Sequence, residues 1–551
     1  MKNKKCKAIV ALTLAAMMTF SVAACGNSVS DTGTGTGSTG TAANGTETGN
    51  TETESSKTLA DYDKVDSFNY YAIAAGVSDE EFNASQMASM VEEYTGYHVT
   101  YTQAPADSAD NQTAITNIFM LKQDFQAVKV SKTQFYTLLA SNALLPITEY
   151  VNASTNLKEQ ISEFGWETAT QDGEIYGIPQ KVSKAANTVG ICYRLDWLNE
   201  YNEENPDNAI PVPSEENGYS MGLSDFKTML EYFKTKVPSG GYAMAVDSNE
   251  VYQQNILPAF GIYEEWADID GKLTYYIDQP GFEDYANYMQ DLYDEGLIQY
   301  QATSNDAGVV QSLQSKNVGA GRIAHWNAYA IETTDAPEGT ELSTYTDDKY
   351  SYIKVLVPDD AKGDSSKAVI YASEGYDYYT VIPAYATAEQ AAAVVDFADK
   401  KLDKDFFLKL VLGTEGETYT VENGAYYPIL PAFNDSQGLS DKFMDGTREA
   451  EMGDYWLCRT RKTAAQDKIF SEINYDVHVS TNPVVVMPPN EAYDNYFSAA
   501  SSEVKNAIVI NMFQKGASFD LQTIKDKWNE YEGQTITDSV NEWYATWDGK
   551  Q

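Results

Sequence analysis

From residue 61 to residue 547 the apolar positions come in short runs with two periods, the pattern of strands interleaved with helices. Ser67 to Ile73 reads as a strand. Asp79 to Tyr94 reads as a helix with Phe82, Met87, Met90, Val91 and Tyr94 on an imperfect apolar face, stopped by Gly96, and Tyr97 to Tyr101 alternates as the next strand. That order favours a parallel pair with a right-handed crossover. Further helices are expected over Leu223 to Lys234, Pro280 to Glu295, Ala388 to Lys401, Phe406 to Leu412, Val504 to Phe513 and within Phe519 to Trp547. Asn423-Gly424 between alternating runs predicts a hairpin turn. Asp172 to Glu200 has apolar pieces too short for helices, with Gly177 and Pro179 placed to bend a strand, so it reads as strand, bend, strand, helix. A chain crosses between two lobes in this way.

The N-terminus follows another pattern. Lys2 to Lys7 form a basic region, Ala8 to Phe20 an apolar one, and Val22-Ala23-Ala24-Cys25 ends it with small residues before a cysteine, which resembles a lipobox. Cys25 would take diacylglycerol and become the new N-terminus. A plain secretory cleavage and a membrane span are the alternatives, although the run falls short of the roughly twenty residues a span needs. Asn27 to Lys57 is a Gly/Thr/Ser/Asn run with almost nothing apolar to bury, so it is expected to be a disordered tether with a reach on the order of 30 Å.

Charge narrows the partners. A net charge of −43 repels phosphate backbones and anionic lipid, which disfavours nucleic acid; it suits solubility outside the cell, or steering of a cationic solute. Forty tyrosines exceed what cores absorb and suggest a wet binding surface. Of the four cysteines only Cys192 and Cys458 belong to the folded part, either paired or as two buried thiols.

The run IYGIP at Ile175 to Pro179, followed by Tyr193-Arg194 and Asp196-Trp197-Leu198, resembles the extracellular solute-binding lipoproteins of carbohydrate ABC importers, family 1, of the LplA or aldouronate type. Ala143 to Thr148, Gly281 to Ile298 (GFEDYANYMQDLYDEGLI), Val369 to Pro383 and Gly413 to Tyr419 (GTEGETY) are similar to further segments of that family. The resemblance implies an α/β periplasmic-binding-protein type II fold, two lobes joined by a multi-strand hinge. The implied division is a signal peptide over 1–24, a tether over 25–60, lobe one over 61–178 plus 372–425 and lobe two over 179–371 plus 426–551. Many relatives carry an acidic calcium loop where this chain has Lys236-Val237-Pro238-Ser239-Gly240-Gly241, which lacks the carboxylates calcium needs, so no metal is expected there.

The implied function is capture of an oligosaccharide by hinge closure and delivery to permease subunits, by a monomer anchored outside a Gram-positive-type membrane. A surface glycan adhesin or sensor, or a peptide-binding protein, is the alternative. Sugars pair apolar faces with rings of hydroxyls, so their sites combine aromatic platforms with planar polar groups. Trp326 is the expected platform, or else a core tryptophan, with His325 and Asn327 beside it. Tyr376, Asp377 and Tyr378 on the returning strand, and Gln180 and Lys181 past Pro179, are ligand candidates that hinge structure alone would also explain. Lys181, Lys184 and Arg322 raise a uronate-bearing ligand, while Trp166, Trp266 and Trp456 read as packing. No catalysis and no cofactor are expected: His98, His325 and His478 lie far apart, there is no HExxH or GxSxG, and among 81 acidic residues any carboxylate pair can be drawn.

Overall fold

The computed structural model describes residues 57–547 except 107, 182–185, 247–253, 301–305, 373–374, 481, 488–489, 515 and 517. The expected leader, Cys25, most of the tether, Lys184 and two residues of the returning strand lie outside the described residues.

Twelve strands place the site. In chain order they are β1 (Ser67–Ala72), β2 (His98–Gln103), β3 (Ala127–Ser131), β4 (Gly177–Lys181), β5 (Val189–Arg194), β6 (Met244–Val246), β7 (Ile298–Tyr300), β8 (Ala320–Ala324), β9 (Tyr350–Ile353), β10 (Tyr371–Ala372), β11 (Tyr376–Val381) and β12 (His478–Val479). One five-stranded sheet runs β2-β1-β3-β11-β4, parallel from β2 to β3 and antiparallel around β11. The other runs β7-β6-β8-β5-β9, parallel to β8 and antiparallel around β5. Helices cover both faces of each sheet, which is why all six residues of β5 are buried and its run VGICYR carries no polar alternation.

The two sheets define two lobes with separate cores. Phe68, Tyr70, Phe397 and Phe407 lie in the core on one face of the first sheet, with Tyr71, Val128, Phe135 and Tyr379 on the other. The largest core of the second lobe holds Tyr193, Phe226, Trp266 and Tyr285, so Trp266 is packing. The chain passes from β4 to β5, returns from β10 to β11, and crosses again after Thr460; β10 and β12 lie side by side, Tyr371 opposite His478.

Local chemistry explains where elements end. The single helix expected over Asp79 to Tyr94 is two, Asp79–Asn83 and Gln86–Thr95. Ser85 caps the second by accepting from the Ala88 amide, and the side-chain amide of Asn83, the last residue of the first, exchanges two 2.8 Å hydrogen bonds with the Tyr101 backbone. Those bonds satisfy the outer edge of β2. The hairpin at Asn423-Gly424 forms with positive φ at both positions, joining Tyr419–Glu422 to Ala425–Pro428. The helix expected from Pro280 starts at Phe282, because Gly281 has φ +95°, and a Cβ there would lie 2.1 Å from the Phe260 carbonyl oxygen.

Two expectations change. The second departure from lobe one comes between Thr460 and Ala464 rather than after residue 425: Phe433, Phe443, Met444, Met452, Tyr455 and Cys458 all pack in the core that holds Phe68. Exposing those apolar side chains to water would be unfavourable, so the segment stays with lobe one. Cys192 and Cys458 are free buried thiols in the cores of different lobes, which removes the disulfide alternative.

Candidate functional site

At the end of β8, the chain turns through His325, Trp326 and Asn327 into the helix Ala328–Glu332. Small residues in β8 let it sit between β6 and β5, and the turn carries Trp326 outward: its side chain is 54% exposed, the largest exposed ring among the described residues. The His325 ring is buried, edge-on to Trp326 at 5.1 Å and to Phe470 at 5.3 Å. Burial lowers its pKa to about 4, so the imidazole is neutral at pH 7. Its Nδ1 and the Asn327 Nδ2 are buried without a hydrogen-bond partner. Trp326 is therefore a presented ring on a fixed turn, not a core residue.

The other expected ligand residues lie in lobe one, at the end of β4 and the start of β11. Gln180 is 2% exposed with its Oε1 unpartnered, and it pairs in register with Tyr378. The pairing shifts between Tyr376 and Tyr378, leaving Asp377 as the extra residue of a bulge, a device that re-aims side chains at sheet rims. Lys181 and Tyr378 are partly exposed. Tyr376 behaves differently from the expectation. Only 5% exposed, its hydroxyl donates to Glu449 Oε1 at 2.6 Å and lies 2.9 Å from Ser162 Oγ, so its polar end is engaged inside lobe one. Arg322 is likewise buried, within the second sheet.

A cavity of about 280 Å³ opens between the lobes. Lobe one lines it with Lys132 and Tyr136 of the helix Lys132–Ala140; lobe two supplies Glu265, Tyr493, Asp494 and Phe497. Tyr493 and Phe497 stack at 4.3 Å, and Lys132 Nζ donates across the lobes to the Val485 carbonyl at 2.5 Å. Burial raises the carboxyls of Glu265 and Asp494 above the usual range. None of these residues stood out in sequence. The tyrosine and phenylalanine four apart, Tyr493 and Phe497, were the available signal, but the same spacing marks any packed helix.

Rings backed by unpaired amide groups suit a ligand with apolar faces and many hydroxyls. Among the described residues no cluster of His, Cys, Asp and Glu could hold a metal ion, and burial raises the thiols of Cys192 and Cys458, the latter to about 12.

No protein-family profile matches the chain. It is similar to an uncharacterized protein in the butB 5′ region of Niallia circulans, 27% identical over 47% of this chain and 98% of that one. Two Bacillus subtilis proteins are similar: lipoprotein LipO, 24% identical over 61% of this chain and 64% of LipO, and the polygalacturonan/rhamnogalacturonan-binding protein YtcQ, 21% identical over 60% and 62%. Among solved structures, an HMO-binding ABC-transporter-associated solute-binding protein from Bifidobacterium longum infantis matches with a TM-score of 0.63 at 14% identity, covering 88% of this chain and 99% of that one. The substrate-binding protein FusA from S. pneumoniae, in complex with kestose, matches with a TM-score of 0.64 at 14% identity, covering 87% and 99%. The fold is thus the two-lobed type II architecture of ABC-transporter solute-binding proteins.

Proposed function

We propose that this chain is the substrate-binding lipoprotein of a carbohydrate ABC importer, holding an oligosaccharide between its lobes and presenting it to permease subunits. The observation that carries this reading is the exposed Trp326 ring on lobe two, with unpartnered buried polar atoms on His325 and Asn327 beside it and on Gln180 of lobe one. A ligand stacked on Trp326 and bonded to both lobes has more contacts when they close, and that differential affinity drives closure. No covalent step is required, so we read the protein as a binding protein and not an enzyme.

The remaining pieces of the reading are a lipid on Cys25, a tether over 25–60, an outward-facing membrane location and a monomeric state. The lipobox-like run and the likeness to LipO support the anchor. Metabolic palmitate labelling that disappears in Cys25→Ala is the expected result; label persisting in that variant would sink it.

Binding is tested by a thermal-shift screen of the full chain against oligosaccharides and short peptides. A specific ligand at one hundred times its Kd stabilises the folded state by about 2.7 kcal/mol. A glycan that shifts the wild type and not Trp326→Ala is the expected outcome. A response to peptides alone removes the sugar reading, and no response to either favours an adhesin or sensor.

A further inference from the structure

The cavity between the lobes is lined unlike the turn that carries Trp326. Its walls are Tyr136 of lobe one and Val484, Met487, Tyr493 and Phe497 of lobe two. Tyr493 and Phe497 stack at 4.3 Å with 12° between their planes, so the two rings form one aromatic surface. The polar groups around them are largely engaged within the protein. Lys132 Nζ donates to the Val485 carbonyl at 2.5 Å, and the Tyr136 hydroxyl donates to the Thr168 carbonyl at 3.2 Å. Asn482 Oδ1 accepts from the Val484 amide at 3.0 Å, and Asp494 Oδ2 from the Asn490 amide at 2.9 Å. Glu265 differs: half-buried, it lines the cavity with neither a hydrogen bond nor an ion pair among the described residues.

A hexose, with hydroxyls all round its ring, would leave most of them without partners here. A planar ring with one polar end matches aromatic walls and a single free carboxyl. The volume of about 280 Å³ exceeds the roughly 150 Å³ in which an apolar cavity takes benzene. Strand register sets this space beside the other ligand candidates. Gln180 pairs with Tyr378, and Tyr378 with Ser131, the last residue of β3; Lys132 and Thr133 of the cavity wall follow directly. With strands about 4.8 Å apart, Gln180 and Ser131 are about 10 Å from each other, so one solute can touch that row and enter the cavity.

We propose that this cavity receives a phenolic ring carried by the solute, packed against Tyr493 and Phe497 with its hydroxyl on Glu265, so that the protein captures an aryl-substituted oligosaccharide. This rests on the oligosaccharide-binding reading above.

Calorimetry on the full chain tests it, with methyl ferulate, its O-methylated form, and a feruloylated arabinoxylo-oligosaccharide beside its saponified form. A ring burying about 110 Å² of apolar surface is worth about a hundredfold in affinity. Methyl ferulate is therefore expected to bind wild type in the millimolar range or tighter, and the feruloylated sugar at least about tenfold tighter than the saponified one. Methylating the phenol should weaken binding about fivefold, the worth of its hydrogen bond to Glu265; equal binding overturns the role of Glu265. Thr133 and Ser498 line the cavity from opposite lobes at exposed positions, so Thr133→Trp and Ser498→Trp fill it without disturbing a core. Each should abolish methyl ferulate binding and leave the urea midpoint unchanged. Methyl ferulate binding that survives both substitutions, or is absent from wild type at millimolar concentration, overturns the cavity assignment, while the oligosaccharide reading is decided separately by the glycan screen. If methyl ferulate binds in the cavity and the feruloylated sugar gains nothing over its saponified form, carriage of the ring by a sugar is overturned.

Discussion

Lys401 pairs with Asp445 at a point where each side chain is 1% exposed, and Tyr70 and Thr380 donate their hydroxyls to the same carboxylate. The pair joins the helix Ala388–Lys401 to the segment that keeps lobe one together as far as Thr460. Burial would raise the Asp445 carboxyl, but Lys401 and Lys129 bring it below the usual range. Lys401→Met leaves that carboxylate buried without its main counter-charge. A loss of about 3–5 kcal/mol in urea-unfolding stability is expected. A loss below about 1 kcal/mol would show that Lys129 and the hydroxyls suffice. Because the folded carboxyl is depressed, its stabilisation is present above the unfolded carboxylate pKa and disappears as pH falls through the folded one.

Trp326→Ala separates binding from stability. A stacked sugar face burying about 80 Å² of apolar surface contributes roughly 2 kcal/mol, so affinity should fall about thirtyfold. The ring is exposed, and the unfolding midpoint should hardly move, within about 0.5 kcal/mol. A large drop in stability with unchanged affinity would return Trp326 to a packing role.

Tyr376→Phe has the opposite signature. Removing the hydroxyl deprives Glu449 and Ser162 of their partner, and stability should fall by about 1–3 kcal/mol. Ligand affinity should stay within about twofold of wild type. An affinity loss larger than the stability change explains would place Tyr376 back among the ligand contacts.

Two groups give opposing pH slopes. Burial raises Glu472 from 4.5 to about 7, with Lys468, Glu332 and Ser351 around it. Between those values the folded state binds the extra proton, so stability falls as pH rises, and Glu472→Gln should flatten that limb. Burial raises the neighbouring Glu332 carboxyl as well. His325, lowered from 6.5 to about 4, works the other way: the unfolded chain takes the proton first, and stability falls as pH drops through that window. Urea denaturation at pH 5, 6 and 7 for wild type, Glu472→Gln and His325→Gln should show the two limbs removed separately. Parallel curves for all three would remove both assignments.

Much of the architecture was legible in the chain itself. Alternation in Tyr97 to Tyr101, the stripe Phe282, Tyr285, Met289 and Leu292, and Asn423-Gly424 each specify a local backbone, because period and turn chemistry act over a few residues. The sequence left Trp326 as either a platform or a core residue, and the turn that buries His325 while exposing Trp326 depends on Phe470 packing against His325 from far along the chain. Other features depended on partners distant in sequence. Residues 426–460 stay with lobe one because Phe443 stacks on Phe82 at 4.5 Å and Asp445 meets Lys401, contacts that no local pattern announces. Tyr376 turns inward because Glu449 waits there. Local propensity and hydrophobic period are written in neighbouring residues, whereas charge balance and desolvation are sums over everything that folding brings near, and only the tertiary structure performs that sum.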